Sequence, residues 1–143
     1  MKITPVAESV IKNFGDMLYS PHILISIRTP GQEYYKPMDN KNRLDMLTLI
    51  FHDVDVAHDG MRSLFNEAQA KRILDFVNKW KDRIDEIVVN CNAGFSRSPG
   101  VAAALSIILN GDDEEYFRKY SPNRLVYRTI LETYQKKQEK EDA

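Results

Sequence analysis

Residues 89 to 100 read Val89-Asn90-Cys91-Asn92-Ala93-Gly94-Phe95-Ser96-Arg97-Ser98-Pro99-Gly100. An apolar strand, Ile87-Val88-Val89, runs straight into Cys91. A tight loop follows, in which Gly94 is free to take backbone angles that other residues avoid. A helix begins at about Ser98–Pro99, where proline suits the first turn. Such a loop gathers backbone N–H groups around a concavity at a helix N-terminus, which suits phosphate. The phosphate-binding residues are then Asn92, Ala93, Gly94, Phe95, Ser96 and Arg97. Arg97 closes the loop and can grip two phosphate oxygens with its planar fork. Cys91 lies beneath an anion held there, and the same dipoles and the arginine favour its thiolate. A thiolate so placed can attack phosphorus in line while the loop amides and the guanidinium hold the equatorial oxygens. The Ser98 hydroxyl can donate to the sulfur and make it a better leaving group.

Outward from this loop, the chain alternates strands and helices. A short strand or turn is predicted at Lys2–Pro5, then a helix over Ala7–Phe14 that Gly15 stops. His22–Ile27 and Leu47–Phe51 are short, apolar and rich in β-branched or aromatic residues, and read as buried strands. Pro30-Gly31 opens the loop between them. Asn66–Lys81 has Ile73, Val77 and Trp80 on one face and reads as a helix. Pro99–Leu109 is apolar around most of its surface and should be a buried helix, ended by Asn110-Gly111. A short helix is predicted over Asp112–Lys119 and a last one from Pro122 through Tyr134. The remainder, about 136–143, is polar and expected to fray. Strands apolar on both faces, alternating with helices, predict an α/β fold: a central, mostly parallel sheet of four to five strands flanked by helices.

Composition narrows the setting. The 143 residues are enough for one domain, with 43% hydrophobic and 29% charged side chains. Twenty basic residues face twenty-one acidic ones, a net charge of −1, so no global field favours nucleic acid or a membrane surface. The longest apolar run, Val101 to Leu105, is far short of the roughly 20 residues of a membrane helix. The opening MKITPVAESV has no apolar stretch of the secretory type. A single cysteine cannot form an internal disulfide and fits a reducing, cytoplasmic location.

The stretch around Cys91 resembles the C-x5-R-[ST] signature of the cysteine-dependent protein tyrosine phosphatases, closest to the dual-specificity type, H-C-x-A-G-x-S-R-S. Cys91, Ala93, Gly94, Ser96, Arg97 and Ser98 match it. With each residue type used at a few per cent, the added requirement for Gly94, Ser96 and Ser98 puts chance agreement at roughly one in 10⁵ per cysteine. That outweighs the commoner fate of a free cysteine as a small buried hydrophobe. Ser121-Pro122-Asn123-Arg124 opens the last helix much as in that family, and the short chain with one cysteine looks like its small bacterial or phage members. The resemblance implies a metal-independent phosphatase without cofactor, with Cys91 as nucleophile, Arg97 as clamp and a phosphorylated protein, phosphotyrosine by default, as substrate. The family has His immediately before the cysteine, and Asn90 stands there instead. A slower enzyme than a typical relative is expected.

The family's general acid is an Asp after an earlier strand. The candidates are Asp53, Asp55 and Asp59, in that order of preference. Asp53 directly follows the Leu47–Phe51 strand, whereas Asp59 has the commoner spacing to the cysteine. The same segment, with His52 and His58, has the chemistry of a divalent-metal site, but His22 is the one other histidine and no motif accompanies it. Tyr34, Tyr35 and Phe95 are candidates for the pocket rim. Some relatives act on phosphoinositides or RNA 5′-phosphates; the neutral Asn92 and Phe95 disfavour such highly charged substrates. A catalytically weak or silent phospho-binding module is the second functional class, which the presence of both Cys91 and Arg97 argues against.

Overall fold

In the computed structural model, which describes residues 1–14, 19–33, 35–55 and 63–142, the elements run β1 (Lys2–Ala7), α1 (Glu8–Phe14), β2 (His22–Arg28), β3 (Arg43–Ile50), α2 (Glu67–Trp80), a 3-10 turn (Lys81–Arg83), β4 (Glu86–Cys91), α3 (Arg97–Asn110), α4 (Glu114–Lys119) and α5 (Arg124–Asp142). The strands form one four-stranded sheet in the order β1-β4-β2-β3, parallel at every pairing. The central strands β4 and β2 are buried along their whole length, as their apolar runs require. On one face Ile23, Ile25, Ile27, Leu49, Ile87, Val89 and Cys91 pack beneath α2, α3 and α5. On the other, Leu24 and Val88 meet Ile11 of α1, with Val6, Tyr35 and Met46 against them.

Several boundaries differ from the sequence reading. β3 begins at Arg43, four residues before Leu47, and stops before Phe51. It is an edge strand paired only with β2, so polar side chains are tolerated along it. Its Asp45 carboxylate accepts the indole N–H of Trp80 at 3.0 Å, tying the edge to α2. The last helix extends past Tyr134 to Asp142. Lys136 and Lys137 reach Glu67 and Asp75 of α2 at 3.5 and 3.6 Å, so a second helix supports the polar segment. α3 starts at Arg97 rather than Pro99, is buried from Arg97 through Ser106, and ends on Gly111 at φ 78°. α2 carries a reciprocal cap: Asn66 accepts from the Gln69 N–H and the Gln69 side chain from the Asn66 N–H.

Because all four strands are parallel, their C-terminal ends share one side of the sheet. That side is where open α/β sheets place ligands. Here it collects Ala7, Arg28, the segment after β3, and Cys91.

Candidate active site

Cys91 is the last residue of β4, paired in register with Ala7 at the end of β1. It is 2% exposed, and its Sγ lies 3.1 Å from Oγ of the fully buried Ser98 in the first turn of α3. Between them the chain turns through residues 92–96. Gly94 sits at φ 70°, and a Cβ there would stand 2.6 Å from Ala7 N and from the Val6 carbonyl carbon. Both the angle and the room therefore demand glycine. The loop rests on the β1–α1 junction, where the Glu8 N–H donates to the Asn92 carbonyl at 3.2 Å. Among the described residues, no main-chain carbonyl accepts from the N–H groups of residues 92–96. The first turn of α3 adds N–H groups of its own, as every helix N-terminus does.

Arg97 is 5% exposed, and its Nη1 donates to the Phe51 carbonyl at 2.8 Å. This bond fixes the guanidinium beside the loop and leaves further N–H groups for an oxyanion. The segment after β3 reaches the loop by a second route. Asp53 Oδ1 accepts from Ser96 Oγ and from Asn123 Nδ2, both at 2.8 Å. Asp55 serves elsewhere: its Oδ1 accepts the Arg124 N–H at the start of α5, at 2.6 Å. Asp59 and His58 lie outside the described residues. Of the three acids, the structure thus joins Asp53 to the loop and commits Asp55 to a helix end.

The sequence reads Asn123 only as part of the segment that opens the last helix. It is 2% exposed and holds three segments together. Its Nδ2 donates to Asp53 Oδ1 and to the Val54 carbonyl at 3.0 Å. Its Oδ1 accepts the Val126 N–H at 3.0 Å, and its own N–H donates to the Ser96 carbonyl at 2.9 Å. Gly100 makes room, since a Cβ there would stand 2.9 Å from the Asn123 carbonyl oxygen. An Asn just after Pro122 is a legible helix cap; its reach to residues 53 and 54 depends on packing. Asn123→Ala is expected to cost about 2–3 kcal/mol of stability, because buried partners lose their donor or acceptor. Urea unfolding checks this, and a loss under about 0.5 kcal/mol would contradict the role.

Asn90 is fully buried, and its Nδ2 donates to Tyr35 Oη at 3.0 Å. Arg28 lies over the Tyr35 ring at 4.1 Å and donates to its carbonyl at 2.9 Å. Tyr35 is thus half-buried support for the end of β4 rather than a free rim residue, and Tyr34 lies outside the described residues. Phe95, within the loop, is 54% exposed. Among the described residues no group of three or more His, Cys, Asp or Glu could hold a metal ion, and no helix is long and apolar enough to cross a membrane.

No protein-family model and no curated protein matches the sequence. Solved structures do. Human DUSP28 superposes with a TM-score of 0.62 at 13% identity, over 96% of this chain and 94% of its own. PTPMT1, crystallised with PI(5)P, gives 0.57 at 14%, over 97% and 94%. The human tyrosine phosphatase-like serine/threonine/tyrosine-interacting protein gives 0.55 at 18%, over 82% and 79%. The fold is that of the cysteine-dependent tyrosine and dual-specificity phosphatases, with the parallel sheet and flanking helices that the sequence predicts.

Proposed function

We propose that this chain hydrolyses phosphate monoesters on protein, phosphotyrosine foremost, through a phosphocysteine intermediate and without a metal. The observation that carries the reading is the contact of Cys91 Sγ with Ser98 Oγ at 3.1 Å, inside a loop that also fixes Arg97 and engages Asp53.

In the first step the Cys91 thiolate attacks phosphorus, the S–P bond forms and the P–O bond to the leaving group breaks. Arg97 and the loop amides hold the equatorial oxygens as charge spreads over them. Asp53 gives its proton to the departing oxygen. Both hydrogen bonds to Asp53 fall on Oδ1 and neither on Oδ2. In the second step water attacks phosphorus, Asp53 takes its proton, and the S–P bond breaks. Ser98 then donates to the returning thiolate. The chemistry needs a reduced thiol, which fits a cytoplasmic setting.

Asp53→Asn is expected to lower kcat about 10²-fold for an alkyl or unactivated aryl phosphate, and much less for para-nitrophenyl phosphate, whose leaving group needs little protonation. Asp55→Asn should lower neither by more than a few-fold. Equal losses on both substrates would remove Asp53 from the role. The reading as a whole is tested by phosphate release from para-nitrophenyl phosphate and from phosphotyrosyl and phosphoseryl peptides, with EDTA present. Turnover of the aryl phosphate and the phosphotyrosyl peptide is expected. Binding of phosphopeptide without turnover would make the chain a phospho-binding module.

The PTPMT1 structure with PI(5)P raises a lipid phosphate as an alternative. The exposed loop side chains Asn92 and Phe95 carry no charge, which favours a singly phosphorylated aromatic substrate over a headgroup of several phosphates.

A further inference from the structure

β3 is an edge of the sheet: it pairs with β2 on one side and, among the described residues, with no strand on the other. The register tells which of its main-chain groups face outward. The Phe51 N–H, just past β3, donates to the Arg28 carbonyl at 3.1 Å, so Asp45, Leu47, Leu49 and Phe51 turn their main-chain groups toward β2. Alternation along the strand then turns those of Leu44, Met46, Thr48 and Ile50 away from the sheet. Such a row is a template for another strand. Two of its groups are already taken by side chains. Asp45 Oδ1 accepts the Met46 N–H at 2.8 Å, while Oδ2 holds the Trp80 indole. Gln69 Nε2, from α2, donates to the Ile50 carbonyl at 3.1 Å. Neither bond belongs to the sheet, and the chemistry at Cys91 uses neither.

The strand that this edge fits is its own. Leu44 and Ile50, 40% and 54% exposed, stand the same number of residues before and after Leu47. Antiparallel pairing of two copies about Leu47 sets Leu44 of one across from Ile50 of the other, and Met46 across from Thr48. All four residues turn their main-chain groups outward, so these are the hydrogen-bonded pairs of that register. Their side chains share one face, and cross-strand apolar pairs stabilise such a junction. A two-fold joint of this kind is the commonest route from one copy to two. Each copy would have to offer its Met46 N–H and its Ile50 carbonyl, and both are occupied. Half of the main-chain bonds of the joint are therefore blocked before two edges meet. We propose that Asp45 and Gln69 close this edge to a second copy, and that the chain is a monomer because these two side chains cap its outer strand.

The test is the mass in solution, by light scattering during size exclusion, of wild type and of the double variant Asp45→Val/Gln69→Glu. The first change uncaps Met46. The second removes the donor to Ile50 yet keeps an oxygen to accept the Asn66 N–H at the start of α2. Wild type is expected at the single-chain mass of 16.6 kDa and the double variant, at the same concentration, at twice that mass. Amide exchange locates the joint: protection of the Thr48 and Ile50 amides should rise at least about tenfold on association. Two controls separate the caps from a loosened fold. Asp45→Asn keeps an oxygen for the Met46 N–H, and Trp80→Phe loses the indole bond but leaves the cap; both are expected at the single-chain mass. A double variant that stays at the single-chain mass would overturn the proposal. So would association of Trp80→Phe to the same extent, a wild type already at twice the mass, or a dimer whose Thr48 and Ile50 amides gain no protection.

Discussion

Cys91→Ser is expected to lower phosphate release from para-nitrophenyl phosphate by at least about 10⁴-fold, the scale on which a lost nucleophile costs an enzyme. Serine is close in size to cysteine, and the loop amides, Arg97 and Ser98 remain in place. What changes is ionisation: a hydroxyl is a far weaker acid than a thiol, so the attacking anion is no longer populated. Because the anion site is intact, the variant should still bind a phosphotyrosyl peptide. Phosphate release and fluorescence anisotropy, run on one preparation, separate the two effects. A variant within tenfold of wild type would place the nucleophile elsewhere. Loss of binding together with turnover would mean that the substitution had disturbed the loop, and a matched melting curve would show it.

Arg97→Lys is expected to cost roughly 10³-fold in kcat/KM, within the span seen when a phosphate-clamping donor or arginine is removed. Lysine keeps the positive charge, so simple attraction survives. It loses the planar fork that can bind two oxygens at once. It also cannot hold the Phe51 carbonyl and grip the anion with the same rigid group, as the guanidinium can. Inhibition by vanadate, which binds as a phosphate stand-in, should weaken in parallel with kcat/KM. A variant that keeps kcat/KM within tenfold would show that charge alone suffices at this position, and the clamp would fall.

The loop was legible because its chemistry is local. Cysteine, glycine, arginine and serine sit within eight consecutive residues, and strand and helix flank them in the sequence itself. β2 and β4 were legible for a similar reason: strands buried on both faces are uninterrupted apolar runs. β3 was read short because an edge strand may carry Arg43 and Asp45 without breaking the sheet. The end of α5 was misread because its support is polar and comes from α2, 69 or 62 positions away along the chain. The choice between Asp53 and Asp55 could not be made from spacing. What the structure adds to the order Asp53, Asp55, Asp59 is the partner that two of these carboxylates meet, Ser96 and Asn123 for Asp53 and the Arg124 N–H for Asp55. Asn123 was hidden for the same reason, since only its capping bond is local.

The bonds that join the residues 51–55 to the loop and to α5 bridge sequence separations of 43, 46, 69 and 70 residues. Each closes a long stretch of chain, so none forms cheaply before the sheet and helices have docked. A synthetic peptide of residues 89 to 100 would hold the whole signature, yet have nothing to fix its arginine or supply its acid. Recovery of turnover during refolding should therefore lag behind recovery of helical circular dichroism. On the proposed function, phosphate release would report on completed tertiary assembly, and a simple colour assay would become a clock for the last step of folding.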